Sequence, residues 1–248
     1  MRKLNTLILV LMILPISIEA KERTITLNVT GQPPLNTTEQ TGFMDDVAKE
    51  AFRRIGIQLK TVRLPAERGL VNANRGIVDG EMSRVKGLDN LYKNLVRVPE
   101  KIMDWEFVGF SNSSISLQNG WSDLSAMSVS HINGWKIFEK NVPATAEITK
   151  TSNANSLFNL LRRNRADIIL YEQWGGHYLL HEMKMNSVEI CKPPLAVKEM
   201  FIYLHEKYEV LVPKLARALG TMKKDGSYKK LVNKHLMPYD DHSSSSHK

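Results

Sequence analysis

Cysteine is nearly absent: Cys191 is the single thiol in 248 residues. That excludes an intramolecular disulfide and any zinc ribbon or iron–sulfur site built on several thiolates, so the fold must be held by packing. Beyond the first twenty residues no hydrophobic run approaches the roughly 20 residues of a membrane-spanning helix. Glycine and proline are not in excess either. With 14 Gly and 10 Pro beside 42% hydrophobic and 24% charged residues, collagen-like, coiled-coil and wholly disordered classes are excluded. Acids are the scarcer charge, 26 against 34 basic residues, for a net charge of +8. They are nonetheless interleaved throughout, and the one basic run, "KKDGSYKKLVNKHL", reads as the solvated face of a terminal helix. No basic patch alternates with stacking aromatics, so no nucleic-acid partner is expected.

The exception to the missing hydrophobic runs is the start of the chain. In "MRKLNTLILVLMILPISIEA", Arg2 and Lys3 precede an apolar run from Leu7 to Ile18, and Ala20 closes it. This is the layout of a cleaved signal peptide over residues 1–20. Pro15, Ser17 and Glu19 interrupt the run and argue against a retained anchor. No cysteine lies nearby to carry a lipid. The expected product is a periplasmic protein that is not a lipoprotein, with a net charge that falls from +8 to +7 as two positive charges and one negative leave.

The rest alternates between two periods. "TITLNVT" places Ile25, Leu27 and Val29 on one face of a strand; after the turn "GQPPLNTTEQTG", the segment "FMDDVAKEAFRRIG" puts Val47, Ala48, Ala51, Phe52 and Ile55 on one helical face. "IQLKTVRL" is a second strand, "ERGLVNANRG" a short helix and "IVDGEMS" a third strand. An extended stretch, "VRVPEKIMDWEFVGFS", then carries the chain elsewhere. A second series follows: "MSVSHING", "WKIFEKN", "AEITKT", "NSLFNLLRRNR" and "ADIILYEQ" read strand, helix, strand, helix, strand. "VEICKPPLAVKEMFIYLHEK" returns as extended chain, Pro213 starts a helix stopped at Asp225 and Gly226, and a last helix runs to about Leu236. Residues 241–248 read as a disordered tail. Repeated β-α-β units predict an α/β fold with ligand-binding loops gathered at the C-terminal ends of the strands. The two series share a faint echo, "NRGIVDG" against "NRADIIL".

In their order and spacing, "GFMDDVAKEAFRRIG", "NRGIVDG", "WEFVGFS", "NRADIIL" and "ALGTMKKDGSYKKL" resemble the bacterial extracellular solute-binding proteins of family 3, the polar amino-acid type of the type II periplasmic binding proteins. The resemblance implies two mixed sheets flanked by helices, two crossover strands, and a ligand gripped between lobes. One lobe would comprise residues 21–109 and 197–240, the other 110–196. It also implies a ligand carboxylate clamped after the "VDG"-like strand. Ser83 and Arg84 occupy that stretch; the family's downstream Thr-Arg pair is missing, and Arg84 either replaces it or forms an outward salt bridge. Arg68 is a second candidate for an anionic group, with plain helix solvation as the alternative. Glu172, just past the "ADIIL" strand, stands where the family holds a ligand ammonium, unless it is an exposed loop residue. Trp135 stands where members carry a small hydroxyl residue, either stacking on the ligand or packing into the core; Tyr171 and Trp174 are candidate pocket walls. His131, His177 and His181 make no metal pattern, and neither a cofactor nor a catalytic residue is expected. The expected role is capture of a small polar solute, amino-acid-like or a small carboxylate, by a monomer serving an ABC-type permease. The alternatives are a membrane sensor without a transporter, or a dehydratase-like enzyme on the same fold.

Overall fold

The computed structural model describes residues 24–240; the expected signal peptide and tail lie outside the described residues. Strand β1 (Thr24–Val29), helix α1 (Phe43–Arg53), β2 (Gln58–Arg63), α2 (Ala66–Asn74) and β3 (Gly80–Val85) form the first series. A short β4 (Leu95–Arg97) and the long β5 (Met103–Ser111) lead to the second: β6 (Ser128–Ile132), α3 (Lys136–Asn141), β7 (Glu147–Thr151), α4 (Ala154–Arg162) and β8 (Ile168–Glu172). Helix α5 (Gln173–Glu182) precedes the 17-residue β9 (Glu189–His205), and α6 (Val212–Lys224) and α7 (Ser227–His235) end the chain.

The strand order is β2-β1-β3-β9-β5-β8-β6-β7, with β4 on β9. Within each series the strands are parallel, β2-β1-β3 and β7-β6-β8, while β5 and β9 run antiparallel to their neighbours. The two expected sheets are therefore joined through the β5–β9 ladder, which pairs Met103 with Met200 at one end and Ser111 with Glu189 at the other. Its register breaks between Phe107–Ala196 and Gly109–Cys191. Pro193 and Pro194 fall in that break, where proline's missing N–H costs no ladder bond.

Each lobe has cores on both faces of its sheet. In the first, Val47, Phe52, Leu215 and Leu219 pack from α1 and α6 onto Ile25, Leu27 and Met82, and α2 covers the other face with Leu70 and Ala73 against Phe201 and Tyr203. In the second, Phe138 of α3 packs with Phe107, Val129 and Ile168, and Leu157, Phe158 and Leu161 of α4 pack with Phe110, Ile169 and Tyr171. The sequence echo has a structural counterpart. Asp79 accepts from the Thr26 amide at 2.9 Å and its own amide donates to the Thr26 carbonyl; Asp167 does the same to Ser128, with its carboxylate at 2.8 Å. The same aspartate clasp thus joins the third strand of each lobe to its first.

Sequence periodicity passes over α5, because Gly175 and Gly176 weaken its helical signal. The glycines are there for contact. A Cβ on Gly176 would fall on the ring of Phe110. Gly176→Ala should therefore destabilise the protein by about 1–2 kcal/mol, overpacking outweighing the roughly 1 kcal/mol gain in helix propensity. A lowered urea midpoint at unchanged m-value checks this; an unchanged or raised midpoint contradicts it.

Candidate functional site

The loop after β1 is the first piece of the site, and a buried carboxylate shapes it. Asp45, fully buried in the first turn of α1, accepts from the amides of Thr37 and Gly42 at 3.0 Å each and from Asn36 Nδ2 at 2.7 Å. The N-terminal half of the helix dipole favours the same negative charge. This carboxylate pins residues 36–42 and so sets the path of Gln32 and Pro33. Facing that loop are the strand ends of the second lobe: Ile132 closing β6, Ser152 after β7, Tyr171 near the end of β8, and the first turn of α4 with Asn153 and Asn155. Between them lies a cavity of about 430 Å³, lined from the first lobe by Thr30, Gln32 and Pro33 and from the second by these residues with Trp135, Gly175, Tyr178 and Leu179. Its volume falls within the roughly 300–1,000 Å³ of small-molecule sites. Its place is the one that open α/β sheets give to ligands.

Two of the six candidate residues are on its wall. Trp135 caps α3 and lies parallel to Phe138, with centroids 5.6 Å apart, and close to parallel to Tyr171 at 4.9 Å. The indole is thus both a packing residue and a cavity wall. Tyr171 is held in turn edge-on by Phe158 at 5.8 Å. The other four are not among the lining residues. Arg84 neither points outward nor lies on the cavity wall: it donates inward to Glu81, with Nη2–Oε2 at 2.7 Å, and to the Ala66 carbonyl at 3.2 Å. Glu81 is buried and also accepts from Asn28 Nδ2 at 3.0 Å. Its carboxyl is raised above the usual range by burial, against the pull of Arg84 and Asn28. Ser83 is buried beside this pair, its hydroxyl without a hydrogen-bond partner among the described residues. Arg68 is exposed on α2.

Glu172 is neither an exposed loop residue nor a lining one. It is 4% exposed and caps α5, accepting from Trp174 N at 3.0 Å and Gly175 N at 2.8 Å. Burial pushes its carboxyl up to about 7, with Glu106 adding to the rise and the two amides opposing it. The cap places α5 across the gap between lobes. Trp174 packs against the core of the first lobe, away from the cavity wall where the sequence placed it, and Tyr178 and His181 meet the edge of Tyr239 at 5.2 and 5.4 Å. Sequence reasoning did not single out Thr30, Gln32, Ser152, Asn153, Asn155 or Tyr178. The first five share one legible signal, since each follows a strand of a parallel unit at its C-terminal end. No group of three metal-binding side chains occurs among the described residues.

No family model matches the chain. An uncharacterized protein of Shewanella oneidensis is 23% identical over 202 residues, 77% of this chain and 75% of that one. Among solved structures, the GluR0 ligand-binding core in complex with L-glutamate superposes with a TM-score of 0.75 at 13% identity, covering 88% of this chain and all of that one. An ancestral arginine-binding protein bound to glutamine gives 0.68 at 18% identity over 88% and 99%. A histidine kinase sensor domain with similarity to periplasmic binding proteins gives 0.67 at 15% identity over 87% and 96%. The chain has the periplasmic binding protein fold. The cleft's wall carries amides, hydroxyls and aromatic rings, and the buried charges nearby are spent on internal partners.

Glu172 gives a pH signature. Its carboxyl is raised in the folded state from an ordinary 4.5 to about 7, so its contribution to stability is fully present below pH 4.5 and is lost as pH rises through 7. The loss is of order 3 kcal/mol. Glu172→Gln, which cannot ionise, should flatten the fall in stability between pH 5 and 8 relative to the unsubstituted protein. Parallel pH profiles for the two proteins would contradict the assignment.

Proposed function

We propose that the protein is a periplasmic substrate-binding protein that captures a small polar solute between its lobes and hands it to an ABC-type importer. One observation carries this reading: a cavity of ligand size is walled by both lobes at the C-terminal ends of their strands. The bodies that close are residues 21–109 with 197–240, and residues 110–196, moving about β5 and β9. Closure expels water and lowers the local dielectric, so each polar contact to the solute strengthens. The fold by itself accommodates the amino-acid-like or small-carboxylate class. The proposed role is binding by a monomer rather than catalysis: a general acid or base must reach the substrate, and Glu172, whose carboxyl sits near neutrality, faces its own helix instead. The proposal includes export through a cleaved leader, on the layout of residues 1–20; among the described residues no helix is long and apolar enough to cross a membrane.

Sensing without transport is the second reading, favoured by the likeness to the histidine kinase sensor domain. Permease and ATPase genes beside this one would favour uptake, and a kinase gene would favour sensing.

A thermal-shift screen tests the capture reading. A solute at 100 times its Kd should stabilise the folded state by about 2.7 kcal/mol, a rise of roughly 5–10 °C in Tm for a chain of this size. The screen should hold amino acids, polyamines, small organic acids, sugars and nucleosides. No shift from any of them at millimolar concentration would overturn the reading.

A further inference from the structure

The lining of the cavity specifies more than its location. It contains no Arg, Lys, Asp, Glu or His. Of the three charged residues expected to grip a zwitterion, Arg68 is exposed on α2 and outside the lining, and the other two are occupied elsewhere. Arg84 is paired with Glu81, and both carboxylate oxygens of Glu172 accept from the first amides of α5. Burying an ammonium or a carboxylate without a partner is costly, and the group neutralises or stays in water instead. A closed cleft with this wall therefore discriminates against ions.

The cavity does offer the carboxamides of Gln32, Asn153 and Asn155 and the hydroxyls of Thr30 and Ser152, each able to donate and accept. Asn153 already caps α4, taking the Ser156 amide at 2.9 Å, so part of the helix end is satisfied internally. The aromatic component is apolar wall rather than an open cage for a cation: the indole of Trp135 lies against Phe138 and Tyr171, so its faces are engaged with protein rings. From these observations, and resting on the solute-capture reading above, we infer that the ligand is non-ionic: a ring-bearing molecule with amide or hydroxyl groups, such as a neutral sugar or a nucleoside-like heterocycle, in place of an α-amino acid or carboxylate.

Two probe series at fixed ring and varied charge test this by calorimetry on the mature protein. One is indole-3-acetamide, indole-3-acetate, tryptamine and tryptophan; the other is glucose, glucuronate and glucosamine. The non-ionic member should bind at least tenfold tighter than every ionic member in at least one series. Asn155 is exposed on the wall and its loss does not threaten folding, so Asn155→Ala should weaken that binding roughly fivefold, the effect of one neutral hydrogen bond. Tighter binding of an anion, cation or zwitterion overturns the inference. So does silence from both series. An amino acid or organic acid that raises the Tm in the screen above would then leave the capture reading standing and only the ligand class wrong. Silence there too would remove both.

Discussion

The antiparallel pairing of β5 with β9 is the constraint on which the rest depends. Both strands belong to both lobes, and each parallel unit is fastened to one edge of their ladder, β3 through β9 and β8 through β5. Because the units share one plan, their strand C-termini meet across the gap, and the loops that follow those strands become the walls of one cavity. The register break near Pro193 and Pro194 lies on the second lobe's side of the ladder, where Phe107 to Phe110 of β5 also pair with β8.

A second theme is how the chain disposes of buried charge. Asp45 is consumed by the amides of the loop it organises, Glu81 by Arg84 and Asn28, and Glu172 by the first turn of α5. Each of these acids builds the frame around the cleft, and none lies on its wall. To remove a partner from any of them would leave a buried polar group unsatisfied. The wall itself is left to amides, hydroxyls and aromatic rings, whose hydrogen bonds and stacking select shape and polarity over charge.

Much of the fold was legible because hydrophobic period and punctuation agree. Ile25, Leu27 and Val29 alternate as a strand, the stripe of α1 repeats at helical spacing, and Gly226 ends one helix and opens the next. Even the faint "NRGIVDG" and "NRADIIL" echo marks topologically equivalent positions, ending in the two aspartate clasps. Helix α5 was not legible, since its glycines answer to Phe110 and Tyr171 rather than to helix propensity. The site was legible by location and illegible by role. Of the two rings the sequence offers as pocket walls, Tyr171 lines the cavity and Trp174 packs into the first lobe's core. Trp135, expected to stack on a ligand or pack, lines the cavity as well. The partners of Arg84 and Glu172 depend on which way a strand bulges and on where a helix begins, and neither is written in local pattern; β3 shifts register between Glu81 and Arg84.

Closure about the β5–β9 ladder is tested most directly by a distance between the lobes. Nitroxide labels on Lys60→Cys in β2 and Lys140→Cys in α3 use exposed sites, one in each lobe. The native Cys191 is 2% exposed with its thiol pushed up to about 11, so it should escape labelling. Addition of a solute that raises the melting temperature should move the label-to-label distance distribution to shorter values and narrow it. A distribution that stays unchanged while such a solute is bound would contradict closure of two lobes over a ligand.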